Sequence, residues 1–139
     1  MPVESKMPFE MNDEERKLFS IAVETDDHSG TEVQVADDIF QGRLKMWVWR
    51  SDDSVVLIIG EFTEHRDGFR EFFISMLAGS DVMDMQLLVV EDLRKELLSL
   101  GCQYLSAFLK PGLAEKFGTS SSGSFLSDKI RYIVIGTEV

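Results

Sequence analysis

The chain has 139 residues, which suits one domain and is short for two. Its composition, 44% hydrophobic and 28% charged, is typical of a soluble globular protein and excludes a disordered tail. The formal net charge of −11 argues against a duplex-binding surface, because phosphate contacts need clustered Lys and Arg. The single cysteine, Cys102, excludes an internal disulfide. We therefore expect one domain over residues 1–139 and no direct binding to nucleic acid.

Two helices are predicted in the N-terminal third. Asn12 with Glu15, and Thr31 with Gln34, have the capping-box spacing that begins a helix. The apolar residues that share one face of these helices are Phe19, Ala22 and Val23 in the first, and Val35 and Ile39 in the second. Residues 1–11, ahead of the first helix, are expected to form a flexible or extended arm.

Three strands are predicted next, because from Arg43 onwards the apolar residues follow the two-residue period of a strand. The strands cover residues 43–49, 55–59 and 69–77. Short turns join them, which predicts an antiparallel meander. The middle strand is a continuous apolar run, so we expect it to be covered on both faces.

A long helix with one apolar stripe follows these strands. The stripe consists of Met83, Leu87, Val90, Leu93, Leu97 and Leu100. Asp81 is expected to cap the start of this helix, and Gly101 is expected to end it.

The last part of the chain predicts a strand over residues 102–109, a short helix over 111–117 and a strand over 130–137. The Ser-rich run 119–124 predicts a flexible loop. The predicted order is thus α-α-β-β-β-α-β-α-β. This order indicates an α/β fold with a mixed, mostly antiparallel sheet and helices on both faces.

The negative charge is concentrated at the N-terminal end of the chain. Residues 1–40 contain eleven acidic and three basic residues, −8 of the total −11. A charge run of this kind is usually a solvated helical face, and the alternative is a surface that docks a basic partner. The candidate partner-binding acids are Asp26, Asp27, Asp37 and Asp38.

No membrane or targeting segment is expected. The first residues lack the apolar core of a signal peptide. The longest apolar run, 55–59, is far below the roughly 20 residues of a membrane helix. We expect the protein to stay in the cytoplasm of the cell that produces it.

Trp47 and Trp49 lie two residues apart and therefore on the same face of a predicted strand. They could anchor a partner, since tryptophan is enriched in interface hot spots, or they could cover a helix inside the core. His28 and His65 fall in loops too far apart in sequence to suggest a metal pair, so no metal site is expected. Cys102 begins a buried strand and is interpreted as a structural thiol.

Four short motifs resemble one family. Residues 42–49 resemble its "G-R-x-x-x-W-V" strand start, and 76–81 its junction between strand and loop. Residues 100–105 resemble its "L-G-C-x-x-L", and 110–114 its "R-P-G-W-A", with Lys and Leu replacing Arg and Trp. The chain thus resembles, over residues 12–139, a divergent phage-associated family with the Gcn5-related N-acetyltransferase (GNAT) fold, whose element order matches the predicted one.

The resemblance implies a particular cofactor loop. Active acetyltransferases of this fold hold the pyrophosphate of coenzyme A on backbone amides of an R/Q-x-x-G-x-G/A loop at a helix N-terminus. The corresponding residues here, 78–83, keep one glycine, contain no Arg or Gln and add Asp81, an acid that repels phosphate. If coenzyme A binds, the candidate residues are Leu77, Ala78, Gly79 and Ser80.

The resemblance also implies catalytic positions. Many family members protonate the leaving thiolate with a tyrosine on the helix after the fifth strand, where this chain has Phe117, which has no hydroxyl group. Glu61 or Glu71 on the central strands could act as a general base. The alternative for each is an ordinary solvent-facing strand residue.

Three functions remain open. The first is a non-catalytic structural or binding protein on a GNAT-like scaffold, a phage virion or assembly component that binds other proteins of the particle, is packaged there and uses no cofactor. The second is an N-acyltransferase that uses acetyl-CoA to acetylate an amine, for which an acidic surface would suit a cationic substrate. The third is an acidic inhibitor or adaptor of another protein. Affinity for coenzyme A separates the first two.

Overall fold

The structure is a computed structural model, and it describes the backbone of residues 3–24, 30–66, 68, 70–79, 82–109, 124–127 and 130–136. Side chains are described for the same residues up to 79, and then for 89 and 91–106.

Eleven elements are present in the described residues. The strands are β1 (Val3–Ser5), β2 (Lys45–Arg50), β3 (Val55–Glu64), β4 (Arg70–Gly79), β5 (Tyr104–Leu109), β6 (Ser124–Ser127) and β7 (Ile130–Gly136). The helices are a short 3-10 helix (Pro8–Glu10), α1 (Asp13–Glu24), α2 (Glu32–Phe40) and α3 (Val82–Ser99). The predicted order of helices and strands is confirmed for the described elements, with β1, the 3-10 helix and β6 as additions, whereas the helix predicted over 111–117 lies outside the described residues.

The strands are hydrogen-bonded in the order β1-β2-β3-β4-β5-β7-β6. The pairs β1/β2, β2/β3 and β6/β7 are antiparallel, whereas β4/β5 and β5/β7 are parallel. The predicted mixed α/β architecture is therefore confirmed.

The chain divides into two compact units. The first comprises Met1–Glu61 and Ser75–Asp92, and the second comprises Phe62–Ile74 and Leu93–Val139. The single domain expected over residues 1–139 stays a prediction.

Helices lie on both faces of the sheet in the first unit. One face is covered by α1 and α2, whose predicted apolar residues are all buried. These residues pack with Met46, Leu57, Ile59, Met76 and Ala78 of the sheet. On the other face, the indole Nε1 of Trp49 donates to Asp92 of α3 at 2.8 Å. Because side chains alternate along a strand, the buried runs 46–49 of β2 and 55–60 of β3 are covered on both faces, as the apolar run of β3 predicted.

The starts of α1 and α2 are fixed by the predicted capping boxes. The side chain of Asn12 accepts from the backbone N–H of Glu15 at 2.8 Å, and the side chain of Glu15 accepts from that of Asn12 at 2.9 Å. Thr31 and Gln34 make the same reciprocal pair at the start of α2. Each box satisfies backbone donors that a helix start would otherwise leave unpaired.

The N-terminal arm contains regular structure. Val3–Ser5 pairs with Trp49–Trp47 of β2, and Val3 is 4% exposed. Part of the segment expected to be flexible or extended is therefore an edge strand, which is followed by the 3-10 helix.

In the second unit, the C-terminal half of α3 presents the predicted apolar stripe to the interior. Leu93 and Leu97 are fully buried, whereas Leu100 is 40% exposed. Leu100 lies beyond the last helical residue, Ser99, so it no longer follows the helical period. The chain turns there at Gly101, whose positive φ of 78° suits glycine.

The end of the Ser-rich run differs from the prediction. Ser124 begins β6, which pairs antiparallel with β7 in register Ser124↔Ile133, so this end of the run is not a flexible loop. The rest of the run, the helix predicted over 111–117 and the cap Asp81 lie outside the described residues. In the described part of the chain, no helix combines the length and the apolar character that a membrane span requires.

Candidate functional site

A cluster of polar and aromatic side chains surrounds Glu71 in the second unit. Its members are Glu71 on β4, His65 just after β3, and Tyr104 and Ser106 on β5, and we call it the Glu71 cluster. The parallel register pairs Glu71 with Tyr104. Side chains of a strand alternate between its two faces, so Ser106, two residues on, lies on the same face as Tyr104.

Both carboxylate oxygens of Glu71 accept hydrogen bonds. The hydroxyl of Ser106, a residue only 1% exposed, donates to Oε2. His65 Nε2 lies 2.7 Å from Oε1. The Glu71 side chain is 16% exposed and the His65 side chain 42% exposed, so the cluster reaches solvent through the imidazole.

This contact assigns the tautomer of a neutral His65. Because a carboxylate only accepts hydrogen bonds, Nε2 of the neutral imidazole carries the hydrogen and Nδ1 carries the lone pair. The ring of Tyr104 packs edge-on against His65, with 5.8 Å between centroids. A carboxylate that orients an imidazole in this way stabilises the cation formed when the imidazole takes a proton. The cluster can therefore act as a proton acceptor.

Cys102 lies close to the cluster in sequence but is inert. It is 1% exposed, and its sulfur lies 3.3 Å from the carbonyl oxygen of Arg70 and 3.3 Å from that of Tyr104, either of which can accept the single thiol hydrogen. Burial raises the pKa of the Cys102 thiol, which disfavours the reactive thiolate.

The first unit contains a different carboxylate cluster, around Glu15. Both oxygens of this buried carboxylate lie 3.0 Å from Lys6 Nζ, and Arg50 and the backbone N–H of Asn12 also donate to it. Burial would raise the pKa of Glu15, but the hydrogen bond from Asn12 and the two cations outweigh that effect and hold the pKa below its usual value. This group is a structural anchor that joins α1 to the N-terminal arm and to β2.

The two candidate bases have different surroundings. Glu61 is an exposed residue of β3 in the first unit. Glu71 is largely buried and held by two side chains. The geometry of a proton-accepting site is present at Glu71.

The candidate cofactor residues form the end of β4. Leu77 is half-buried and Ala78 is 5% exposed. A Cβ at Gly79 would lie 2.7 Å from the carbonyl oxygen of Val55 and 2.8 Å from Val56 Cγ2, so packing against β3 explains why this residue is glycine. Ser80 lies outside the described residues. Residues 77–79 supply neither a cation nor an open glycine for a pyrophosphate.

The two tryptophans are buried, with Trp47 2% and Trp49 3% exposed. Trp49 is hydrogen-bonded to α3, as described above, and Lys45 Nζ lies 5.1 Å from the centroid of the Trp47 ring. The burial of both side chains, and the contact of Trp49 with α3, agree with the interpretation that they belong to the core and not with that of an exposed anchor for a partner.

Of the candidate partner-binding acids, Asp37 and Asp38 belong to the described residues, whereas Asp26 and Asp27 lie outside them. Asp37 and Asp38 form ion pairs with Arg43 at 3.1 and 2.7 Å. These two acids are therefore partly neutralised within the chain.

The described residues contain no group of three or more His, Cys, Asp and Glu side chains that could hold a metal ion. His28 and Phe117, considered above for metal binding and catalysis, lie outside the described part of the chain.

The sequence names Glu71 as one of two candidate bases, beside Glu61, but it does not connect Glu71 to His65, a loop residue, or to Ser106. The signal that could have found Ser106 is the β4/β5 register, which pairs Glu71 with Tyr104, because Ser106 follows Tyr104 by two residues on the same face of β5. For His65, the signal is the short β3–β4 connection, which returns the chain to Glu71 six residues later.

Comparison with known proteins gives a fold but no family. No protein-family model and no curated protein sequence matches the chain. An acetyltransferase of known structure from Trypanosoma brucei is 13% identical, with 90% of this chain and 97% of that one covered and a TM-score of 0.50. A glucosamine-6-phosphate N-acetyltransferase from Arabidopsis thaliana is 16% identical, with 92% and 98% covered and a TM-score of 0.47. The first likeness confirms that the chain has a GNAT-like fold.

Proposed function

We propose that the protein is an N-acyltransferase that moves an acetyl group from a thioester, acetyl-CoA, to an amine, with the Glu71 cluster as its proton acceptor. The observation that carries the proposal is the hydrogen bond between Glu71 and the exposed His65 in a chain with an acetyltransferase-like fold. Fold alone does not define a function, so the proposal depends on this site.

The role of the cluster follows from the reaction. As the amine nitrogen forms its bond to the acyl carbon, the bond from that carbon to sulfur breaks, and the sulfur leaves with the electron pair as a thiolate that takes a proton from water. The nitrogen must also lose a proton. His65 Nδ1 takes that proton, and the carboxylate of Glu71 stabilises the resulting imidazolium. Ser106 holds the second oxygen of Glu71 in place. The proton then leaves through the exposed side of the imidazole.

Acetyl-CoA would supply the activated acyl group. We assign none of the described residues to its pyrophosphate. The space beside the Cα of Gly79 is occupied by β3, and residues 77–79 carry no cation. The net charge of −11 favours a cationic acceptor, such as a polyamine or a lysine side chain, by raising its concentration near the surface.

The experiment measures thiol release from acetyl-CoA in the presence of spermidine and of a lysine-containing peptide. We expect Glu71→Gln to lower turnover about a hundredfold, because His65 then loses the carboxylate that stabilises its cation, and general-base catalysis contributes at least this factor. Glu61→Gln, a matched change at an exposed strand residue, should leave turnover unchanged. Equal turnover in the two variants would contradict the role of Glu71.

Calorimetric titration with acetyl-CoA tests the donor separately. Binding in the micromolar range is expected for an enzyme of this kind. An absence of binding together with an absence of thiol release would overturn the acyltransferase proposal.

A second candidate is a non-catalytic protein that binds other proteins, which is favoured by the occupied space at Gly79. Its finer form, a component of a phage particle or of particle assembly, is supported only by the sequence motifs at residues 42–49, 76–81, 100–105 and 110–114. This candidate predicts no titration signal with acetyl-CoA and co-purification with assembled particles.

A further inference from the structure

A groove on the first unit exposes apolar surface. It has a volume of about 400 Å³, and its apolar lining includes Met11, Phe19, Val33 and Ala36. Val33 is 79% exposed, and Phe9, beside the groove-lining Pro8, is 71% exposed. Exposed apolar groups gathered around a concave surface mark an interaction site more often than scattered ones do.

The groove is preformed. Phe19 belongs to the core of the first unit, and Met11 and Ala36 pack against that core. The hydroxyl of Ser20 on α1 donates to Glu32 on α2 at 2.7 Å, which ties together the two helices that form the walls. A ligand would therefore meet walls that are already in place, which lowers the entropic cost of binding.

The charge around the groove selects the kind of occupant. Four acids of the surrounding elements, Glu10, Asp13, Glu24 and Glu32, have no ion pair within the described residues. The cations on these elements are Arg16, which also lines the groove, and Lys17. The groove lining itself contains one acid, Glu32, and one cation, Arg16. Residues 1–40, which include the whole lining, contain eleven acidic and three basic residues, so the potential around the groove is negative. A second copy of the chain would bring the same acids face to face, so self-association through this groove is disfavoured.

We propose that this groove docks a basic amphipathic segment of a partner protein. Apolar side chains of the segment would lie against Val33 and Phe19, as in other complexes of a helix with a groove, and its Lys or Arg side chains would face Glu32 and the neighbouring acids. The proposal is independent of the acyltransferase function, because it uses residues of the first unit and no member of the Glu71 cluster.

The experiment uses a labelled synthetic amphipathic helix of Leu and Lys and measures its binding to the full chain by fluorescence anisotropy. Val33→Gln should weaken binding about tenfold, since it removes most of the free energy that is gained when the valine side chain is buried. Ile21→Gln is the matched control, because Ile21 is an exposed residue of α1, at 49%, that does not line the groove. This control should bind as the wild type does, and the affinity of the wild type should fall as salt is added.

Three results would overturn the proposal. Equal weakening by Val33→Gln and Ile21→Gln would show that the groove is not the binding surface. Equal binding of a peptide in which every Lys is replaced by Glu would remove the argument from charge. A dimer detected by light scattering and dissolved by Val33→Gln would show that a second copy occupies the groove.

Discussion

Glu15 and Glu71 are both shielded carboxylates with hydrogen bonds to both oxygens, yet they are shielded in different ways. Glu15 is fully buried and faces two cations and a backbone N–H. Glu71 is 16% exposed and faces a neutral hydroxyl and an imidazole that is itself 42% exposed. The first carboxylate is neutralised inside the fold, whereas the second is connected to solvent through a group that can change its charge.

The difference separates a structural role from a chemical one. A carboxylate held between two cations gains nothing by taking a proton, and its lowered pKa reflects this. A carboxylate beside an exposed imidazole can stabilise a proton that arrives from outside. Burial and hydrogen bonding alone therefore do not identify a site. The charge of the partners and their access to solvent do.

The largest expected effect on stability is at Glu15. Glu15→Gln leaves Lys6 and Arg50 without their buried counter-charge, and we expect the free energy of unfolding to fall by about 3 kcal/mol. Glu71→Gln keeps the size of the side chain and strands no cation, so it should cost about 1 kcal/mol or less. Urea denaturation of the two variants measures both values. A larger loss in Glu71→Gln would reverse the assignment of structural and chemical roles.

The parts of this comparison that are local in sequence were predictable. Both capping boxes were predictable from the sequence, because each depends on residues only three positions apart. Glu15 was recognised only as a capping residue, since its contacts with Lys6 and Arg50 depend on β2 returning to the start of α1.

The other parts of the comparison were not predictable, because they depend on contacts between residues that are far apart in the sequence. The partnership of Glu71 with Ser106 depends on a parallel register across 35 positions, and no local pattern encodes it. The strand β1 and the strand β6 are both short, and each exists because a longer neighbouring strand offers a free edge. The buried tryptophans show a further limit, since the residue type fits either an interface or a core.

A smaller effect on stability is expected when the pH is lowered. Because the pKa of Glu15 is lower in the folded chain than its ordinary value of 4.5, the unfolded chain binds the proton first as pH falls. The stability that Glu15 contributes is then fully present above about pH 4.5 and is lost as pH falls through its lower folded pKa. We expect the urea midpoint of the wild type to fall more steeply in this window than that of Glu15→Gln. Parallel curves would show that other carboxylates cause the acid sensitivity.

The smallest effect is expected at Asp37 and Asp38, whose ion pairs with Arg43 are solvent-exposed counterparts of the Glu15 cluster. The Arg43 side chain is 60% exposed, so water solvates these charges well and their attraction is weak. Replacing both acids with Asn should change the urea midpoint far less than Glu15→Gln does. High salt should remove the difference in midpoint between this double variant and the wild type, because salt screens exposed pairs strongly and buried pairs little. Arg43→Gln is the matched control and should behave in the same way, since it breaks the same two pairs from the other side. A salt-resistant loss of stability in the double variant would mean that burial is not what distinguishes the two clusters.

The double variant can also be tested for binding of the basic peptide. If it is as stable as the wild type but binds the peptide more weakly, and its affinity depends less on salt, the two acids contribute to the electrostatic attraction of a partner and not to the fold.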